Sequence, residues 1–130
     1  MNETDIVDIH HLTAAFIGSG TMAEAMIKGL LRQQLLSPDH IVASGPRPAR
    51  GDELAATYGV RVTTDNRRAA AEADLLVLSV KPQVAPQVLI ELQGVVEPDA
   101  LILSIVAGIP TSAIALGLGV EAVVRAMPNT

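Results

Sequence analysis

Apolar and polar positions along this chain alternate between two periods. Leu12-Thr13-Ala14-Ala15-Phe16-Ile17 is a short apolar run that stops at Gly18-Ser19-Gly20. From Met22 to Gln33 apolar residues recur at helical spacing, with Met22, Ala25, Met26, Gly29 and Leu30 as the predicted buried stripe. The exchange then repeats. A second strand over His40 to Ser44 leads to a helix over Arg50 to Tyr58, closed by Gly59. A third strand over Val60 to Thr63 precedes a short helix through Ala71 that Asp65-Asn66 can cap. A fourth strand, Leu75 to Val80, is followed by a helix over Pro86 to Leu92. The fifth, Leu101 to Ala107, is the most apolar segment and reads as a strand buried on both faces. A helix from Thr111 or Ser112 to about Leu116 and a sixth strand over Val120 to Ala126 complete the pattern.

Strands that alternate with helices in this way form a parallel sheet wrapped by crossovers. The expected fold is α/β: a doubly wound, Rossmann-like parallel sheet of order 3-2-1-4-5-6, forming a single domain over residues 12–130. Residues 1–11 read as a loose leader, because they open acidic and polar and lack the apolar stretch of a signal peptide. Hydrophobic residues make up 49% of the chain, yet no apolar run approaches a membrane span. The net charge is −5, basic residues never cluster beyond Arg67-Arg68, and Phe16 and Tyr58 are the only aromatics. Nucleic acid is therefore not an expected partner, and neither is a membrane. The absence of cysteine rules out disulfides and fits a cytoplasmic protein. His10, His11 and His40 lack metal-ligand spacing, and neither a nucleophilic triad nor a catalytic pair of carboxylates is evident, so the expected metal is none and no catalytic residue is assigned.

Chemistry concentrates where the predicted strands end. Gly18, Gly20 and Ala23 form G-x-G-x-x-A between strand and helix, the context that makes this spacing a dinucleotide fingerprint. Gly18 permits a tight turn, Gly20 lets a pyrophosphate reach the backbone, and Ala23 lets the helix sit close to the strand. The first helical amides lack intrahelical acceptors and face an anion. A glycine turn that holds no ligand is the alternative. At the second strand end, no acid stands ready for a ribose 2′-hydroxyl. Ser44 and Arg47, with Arg50 behind, suit a 2′-phosphate and hence NADP, unless the arginines are ordinary solvated charges. Lys81 stands between the fourth strand and Pro82, which is expected to open a crossover helix. A cation there either meets an anionic ligand or snorkels to water. Asn66 serves either as a helix cap or as an adenosine contact.

Four segments in order resemble one family, the pyrroline-5-carboxylate reductases. Phe16-Ile17-Gly18-Ser19-Gly20-Thr21-Met22-Ala23-Glu24-Ala25 resembles its opening FIGxGxMAxA, and Leu78-Ser79-Val80-Lys81-Pro82-Gln83 its AVKPQ segment. Ser104 to Ile109 resembles S-x-x-AGI, and Arg125 to Thr130 resembles R-x-MPNTP. The resemblance implies NADPH-dependent reduction of the cyclic imine Δ1-pyrroline-5-carboxylate to L-proline. It places Gly18, Ser19, Gly20, Thr21 and Met22 at the pyrophosphate, Ser44 at the adenosine phosphate and Asn66 on the adenosine side. Ser79, Val80, Lys81 and Pro82 would border the ribose and nicotinamide, with Ala107, Gly108 and Asn129 at the nicotinamide and substrate edge. Arg47 falls one place later than in the family's S-x-R form. The match covers the family's N-terminal half. The helical domain that forms the homodimer or higher oligomer and holds the imine is not part of it, so the chain alone is expected to bind cofactor with little or no turnover. A related dehydrogenase domain, or a non-catalytic dinucleotide sensor, remains the alternative.

Overall fold

The first strand sets the core. Ala14–Ile17 (β1) presents four side chains, and all four are fully buried. The computed structural model describes residues 9–127. In it β1 is followed by Thr21–Arg32 (α1), Ile41–Ser44 (β2), Pro48–Tyr58 (α2), Arg61–Thr63 (β3) and Asn66–Ala71 (α3). Then come Leu75–Leu78 (β4), Ala85–Glu91 (α4), Leu101–Ser104 (β5), Thr111–Leu118 (α5) and Val123–Arg125 (β6). The six strands are parallel, in the order β3-β2-β1-β4-β5-β6, as the sequence pattern predicts.

Local chemistry fixes the helix ends. Asp65 accepts bonds from the amides of Arg67 and Arg68 and so caps α3. Pro48 sits in the first turn of α2, where its missing N–H costs nothing, and Gly59 ends that helix in the left-handed conformation. Between β1 and β2, a 3-10 turn over Pro38–His40 closes the return.

The sheet separates two cores. Ala15, Ile17, Leu76, Leu78 and Ile102 pack against α3, α4 and α5. Ala14, Phe16, Ile41, Ala43 and Val77 pack against α1 and α2. Two expectations need correction here. The buried stripe of α1 is Ala23 and Ile27, with Met26 and Leu30 partly buried, whereas Ala25 and Gly29 are exposed. The glycine turn delivers the helix one residue out of the phase that the apolar pattern suggests, and a stripe of alanine and glycine marks phase only weakly. The fifth strand is not buried on both faces. Ile102 and Ser104 are fully buried, but Leu101 on the opposite face is 41% exposed. The helices on that second face, α1 and α2, come from the crossovers over β1 to β3 and leave β5 half covered. β4 and β5 also end earlier than predicted, at Leu78 and Ser104, and β6 spans only Val123–Arg125. Residues 1–8 of the expected leader lie outside the described residues, as does the end of the chain from 128 onward.

Candidate functional site

Four strands finish at one level. Ile17 pairs with Ser44 on one side and Leu78 on the other, and Leu78 pairs with Ser104. Gly18, Gly45, Ser79 and Ile105 therefore rim one edge of the sheet, the carboxyl edge on which open α/β folds take their ligands. A larger cleft of about 560 Å³ between Leu31, Leu36, Pro38 and Tyr58 lies away from this rim, and its lining is mostly apolar.

Gly18 belongs to the framework. Its φ is +106°, and an added Cβ would come within 2.6 Å of the Ser79 carbonyl carbon and oxygen. Its N–H donates to the Ser44 carbonyl at 2.9 Å, while its own carbonyl accepts from Ser79 Oγ at 2.7 Å. The Gly18 amide is thus engaged within the protein. Beyond it the picture changes. Gly20 is the N-cap of α1, with no side chain capping the helix. Among the described residues, the amides of Gly20, Thr21, Met22 and Ala23 have no hydrogen-bond acceptor. Nothing stands within 4 Å of a Cβ built on Gly20. These are the orphan donors of a helix N-terminus, and the space beside Gly20 is open.

A cleft of about 260 Å³ runs from this turn past Gly45 and Pro46 to α4, with Asn66, Val80 and Glu91 in its wall. Ser44 is fully buried there, and its hydroxyl donates to Asn66 Oδ1 at 2.6 Å. Asn66 in turn donates from Nδ2 to Glu91 Oε1 at 2.8 Å. Asn66 is therefore not the cap of α3, a role Asp65 fills; it is a bridge, held by Ser44 from behind. A smaller recess of about 180 Å³ opens on the other side of Gly45, between Ser19, Arg47, Thr63 and Thr64. Arg47 is the N-cap of α2, is exposed, and has no ion pair among the described residues.

The remaining candidates lie farther along the rim. Ser79 and Val80 are half-buried beside Gly18, and Lys81 and Pro82 are exposed. Pro82 does not open a helix: α4 begins at Ala85 with Val84 as its N-cap. The carbonyl of Lys81 accepts from the amides of Val84 and Ala85, so Lys81 stands in a turn ahead of the helix and outside its first-turn dipole. Ala107 and Gly108 form an exposed turn after β5. Asn129 lies outside the described residues.

One cluster escapes the sequence reading. Arg50, with 18% of its side chain exposed, bonds Glu24 at 2.7 Å and Glu53 at 3.3 Å. The Tyr58 hydroxyl donates to the second Glu24 oxygen at 2.6 Å. Only the Arg50–Glu53 pair, three apart on one helix, is legible from spacing. The Tyr58 and Arg50 bonds hold the Glu24 carboxyl below the ordinary carboxylate range, and the same bond to Glu24 raises the Tyr58 phenol. The sign follows from linkage. A depressed carboxyl contributes stability above its unfolded pKa and loses it as pH falls through the folded value. Urea midpoints measured from pH 6 down to 3 are expected to fall more steeply for the native chain than for Glu24→Gln. Parallel curves would show that the network contributes nothing to acid stability.

Comparison with known proteins identifies the family and the fold. The family model described as NADP oxidoreductase coenzyme F420-dependent matches residues 13–108. Over 114 residues the chain is 43% identical to a pyrroline-5-carboxylate reductase of Synechocystis sp., covering 88% of this chain and 42% of that protein. A pyrroline-5-carboxylate reductase structure from Coxiella burnetii superposes with a TM-score of 0.85 at 36% identity, over 92% of this chain and 44% of that one. A Plasmodium falciparum pyrroline carboxylate reductase with NADP bound shares the fold, with a TM-score of 0.78 at 23% identity over 93% and 44% of the two chains. The chain thus spans less than half the length of these relatives. The family match runs from the residue before β1 to the turn after β5, and by it this chain belongs to the family of NADP oxidoreductases described as coenzyme F420-dependent.

Proposed function

We propose that this chain binds NADP(H) and forms the cofactor-holding half of a pyrroline-5-carboxylate reductase, which reduces Δ1-pyrroline-5-carboxylate to L-proline. The observation that carries the reading is the set of free amides from Gly20 to Ala23 at the start of a 12-residue helix, opening on unfilled space. A pyrophosphate fits such a cradle, because backbone donors and the positive end of the helix dipole act on the same anion. The reductase named among the relatives supports the substrate, and the family's description supports the cofactor.

When bound, the nicotinamide supplies the hydride, and the chain's own residues bind and orient. Gly20, Thr21 and Met22 hold the pyrophosphate by their amides, and Ser19 flanks it. Asn66, kept in place by Ser44, borders the adenosine, and Arg47 pairs with the 2′-phosphate from its exposed position at the head of α2. Ser79, Val80, Lys81 and Pro82 border the ribose and nicotinamide, with Ala107 and Gly108 next along the rim, and Asn129 keeps the nicotinamide and substrate role that the resemblance implies. Residues 12–130 act as the dinucleotide-binding domain, behind a leader over residues 1–11, in the cytoplasm. The imine and the contacts of a homodimer or higher oligomer fall to the part of the relatives that this chain does not span.

Calorimetric titration of the chain with NADPH and NADH tests the reading. A charge-assisted contact to the 2′-phosphate gives NADPH an advantage of about tenfold or more. Equal affinity would overturn the NADP assignment, and absence of binding would overturn the function.

A further inference from the structure

Arg50 touches the glycine turn from the side away from the open amides. Its Nε donates to the Ser19 carbonyl at 2.8 Å, and its Nη2 donates to the Gly20 carbonyl at 3.3 Å. Each of these carbonyls shares a planar trans peptide with the next residue's N–H, which points the opposite way. The partner amides are those of Gly20 and Thr21, two of the orphan donors at the head of α1. We propose that Arg50 is a positioning residue for the cofactor site, which aims the Gly20 and Thr21 amides at the pyrophosphate and polarises them by bonding the carbonyls at their far ends. The inference rests on the dinucleotide reading above.

Three further contacts make this arrangement rigid. Glu24 accepts a second bond from Nη2, and Glu53 holds the remaining nitrogen, Nη1, which pins the fork against the turn. Tyr58 secures Glu24 from its other oxygen. The network also occupies a carboxylate in the first turn of α1, where an unpaired negative charge would repel the phosphates. Hydrogen bonds in series strengthen one another, so a carbonyl bonded to a guanidinium leaves its peptide N–H a better donor. Lysine cannot replace this function fully, because it presents a point charge where two carbonyls and a carboxylate need a planar fork.

The test uses Arg50→Gln and Arg50→Lys, each shown to be folded by circular dichroism. Titration with NADPH and with NADH is expected to show the same loss for both nucleotides in Arg50→Gln, about tenfold or more. Arg50→Lys is expected to recover part of it. In the ligand-free chain, the amide nitrogen and proton resonances of Gly20 and Thr21 are expected to move upfield in both variants, which a merely structural role would not single out. Unchanged affinity with unmoved resonances overturns the inference. Loss confined to NADPH also overturns it, since that would make Arg50 a direct 2′-phosphate contact. If the native chain binds neither nucleotide, the functional reading fails, while the Gly20 and Thr21 resonances still decide whether Arg50 sets these amides.

Discussion

Gly18→Ala is expected to cost about 2–6 kcal/mol of stability and to abolish nucleotide binding, the sum of backbone strain and overpacking at one atom. The reason is geometric. Gly18 holds a φ of +106°, and its new Cβ would stand 2.6 Å from the Ser79 carbonyl carbon and oxygen and 2.8 Å from the Val80 nitrogen. All three are backbone atoms at the end of a buried strand, so no side chain can swing aside. Relief requires β1 and β4 to part, which breaks the bonds from Ser79 to the carbonyls of Ile17 and Gly18. Gly20→Ala, two residues on, is expected to behave in the opposite way. Its φ is −83° and its Cβ meets nothing within 4 Å, so stability changes by less than about 1 kcal/mol. On the proposed function, nucleotide affinity nevertheless falls about tenfold or more, because the methyl fills the space a phosphate would take. Urea denaturation and NADPH titration of the two variants separate the roles. A Gly18→Ala chain as stable as the native one would show that the turn is loose, and a Gly20→Ala chain of native affinity would show that no ligand approaches there.

The second large effect lies beneath the site. Phe16→Ala is expected to cost about 3–5 kcal/mol, a large fraction of the stability of an ordinary domain. Phe16 is fully buried on β1 among Ile27, Ile41, Leu54 and Val77, and it is the largest side chain in that core. Helices α1 and α2 both close on it, and the frame of the sheet keeps them from collapsing into the vacancy. The urea midpoint should fall with the slope unchanged. Loss of under about 1 kcal/mol would mean that α1 settles onto the sheet. That outcome would also shift the glycine turn, since α1 begins five residues after Phe16.

Much of this was legible in the residues themselves. The apolar runs at Ala14, Ile41, Leu75 and Leu101 marked the strands, and Gly59 and Asp65 marked helix ends, because each depends on neighbours a few positions away. The G-x-G-x-x-A spacing likewise located the amide cradle, since turn and helix start are local in sequence. The phase of α1 was not legible. Alanine, glycine and methionine carry too little contrast in burial to say which face meets the sheet, and the turn decided it. Nor was the half-exposed face of β5, which depends on where two distant crossover helices lie.

The divided roles inside the motif belong to the same second class. Two glycines look alike in a string, but Gly18 is pressed against β4 and Gly20 faces open space, a distinction made by a strand some sixty residues away. The sequence offers Ser44 and Asn66 as separate ligand contacts, and the structure pairs them, with the buried Ser44 hydroxyl bracing Asn66. In the sequence Arg50 is a charge behind Arg47, yet its partners Ser19, Gly20 and Glu24 lie about thirty residues upstream, out of reach of any spacing rule. Sequence by itself determined the order of elements, the parallel sheet and the location of the turn with the free amides, because these follow from periodicity and from backbone chemistry at single positions. Tertiary structure alone decided which amides are free, which glycine is framework and which arginine grips the turn, because a hydrogen bond is settled by distance in space and not along the chain.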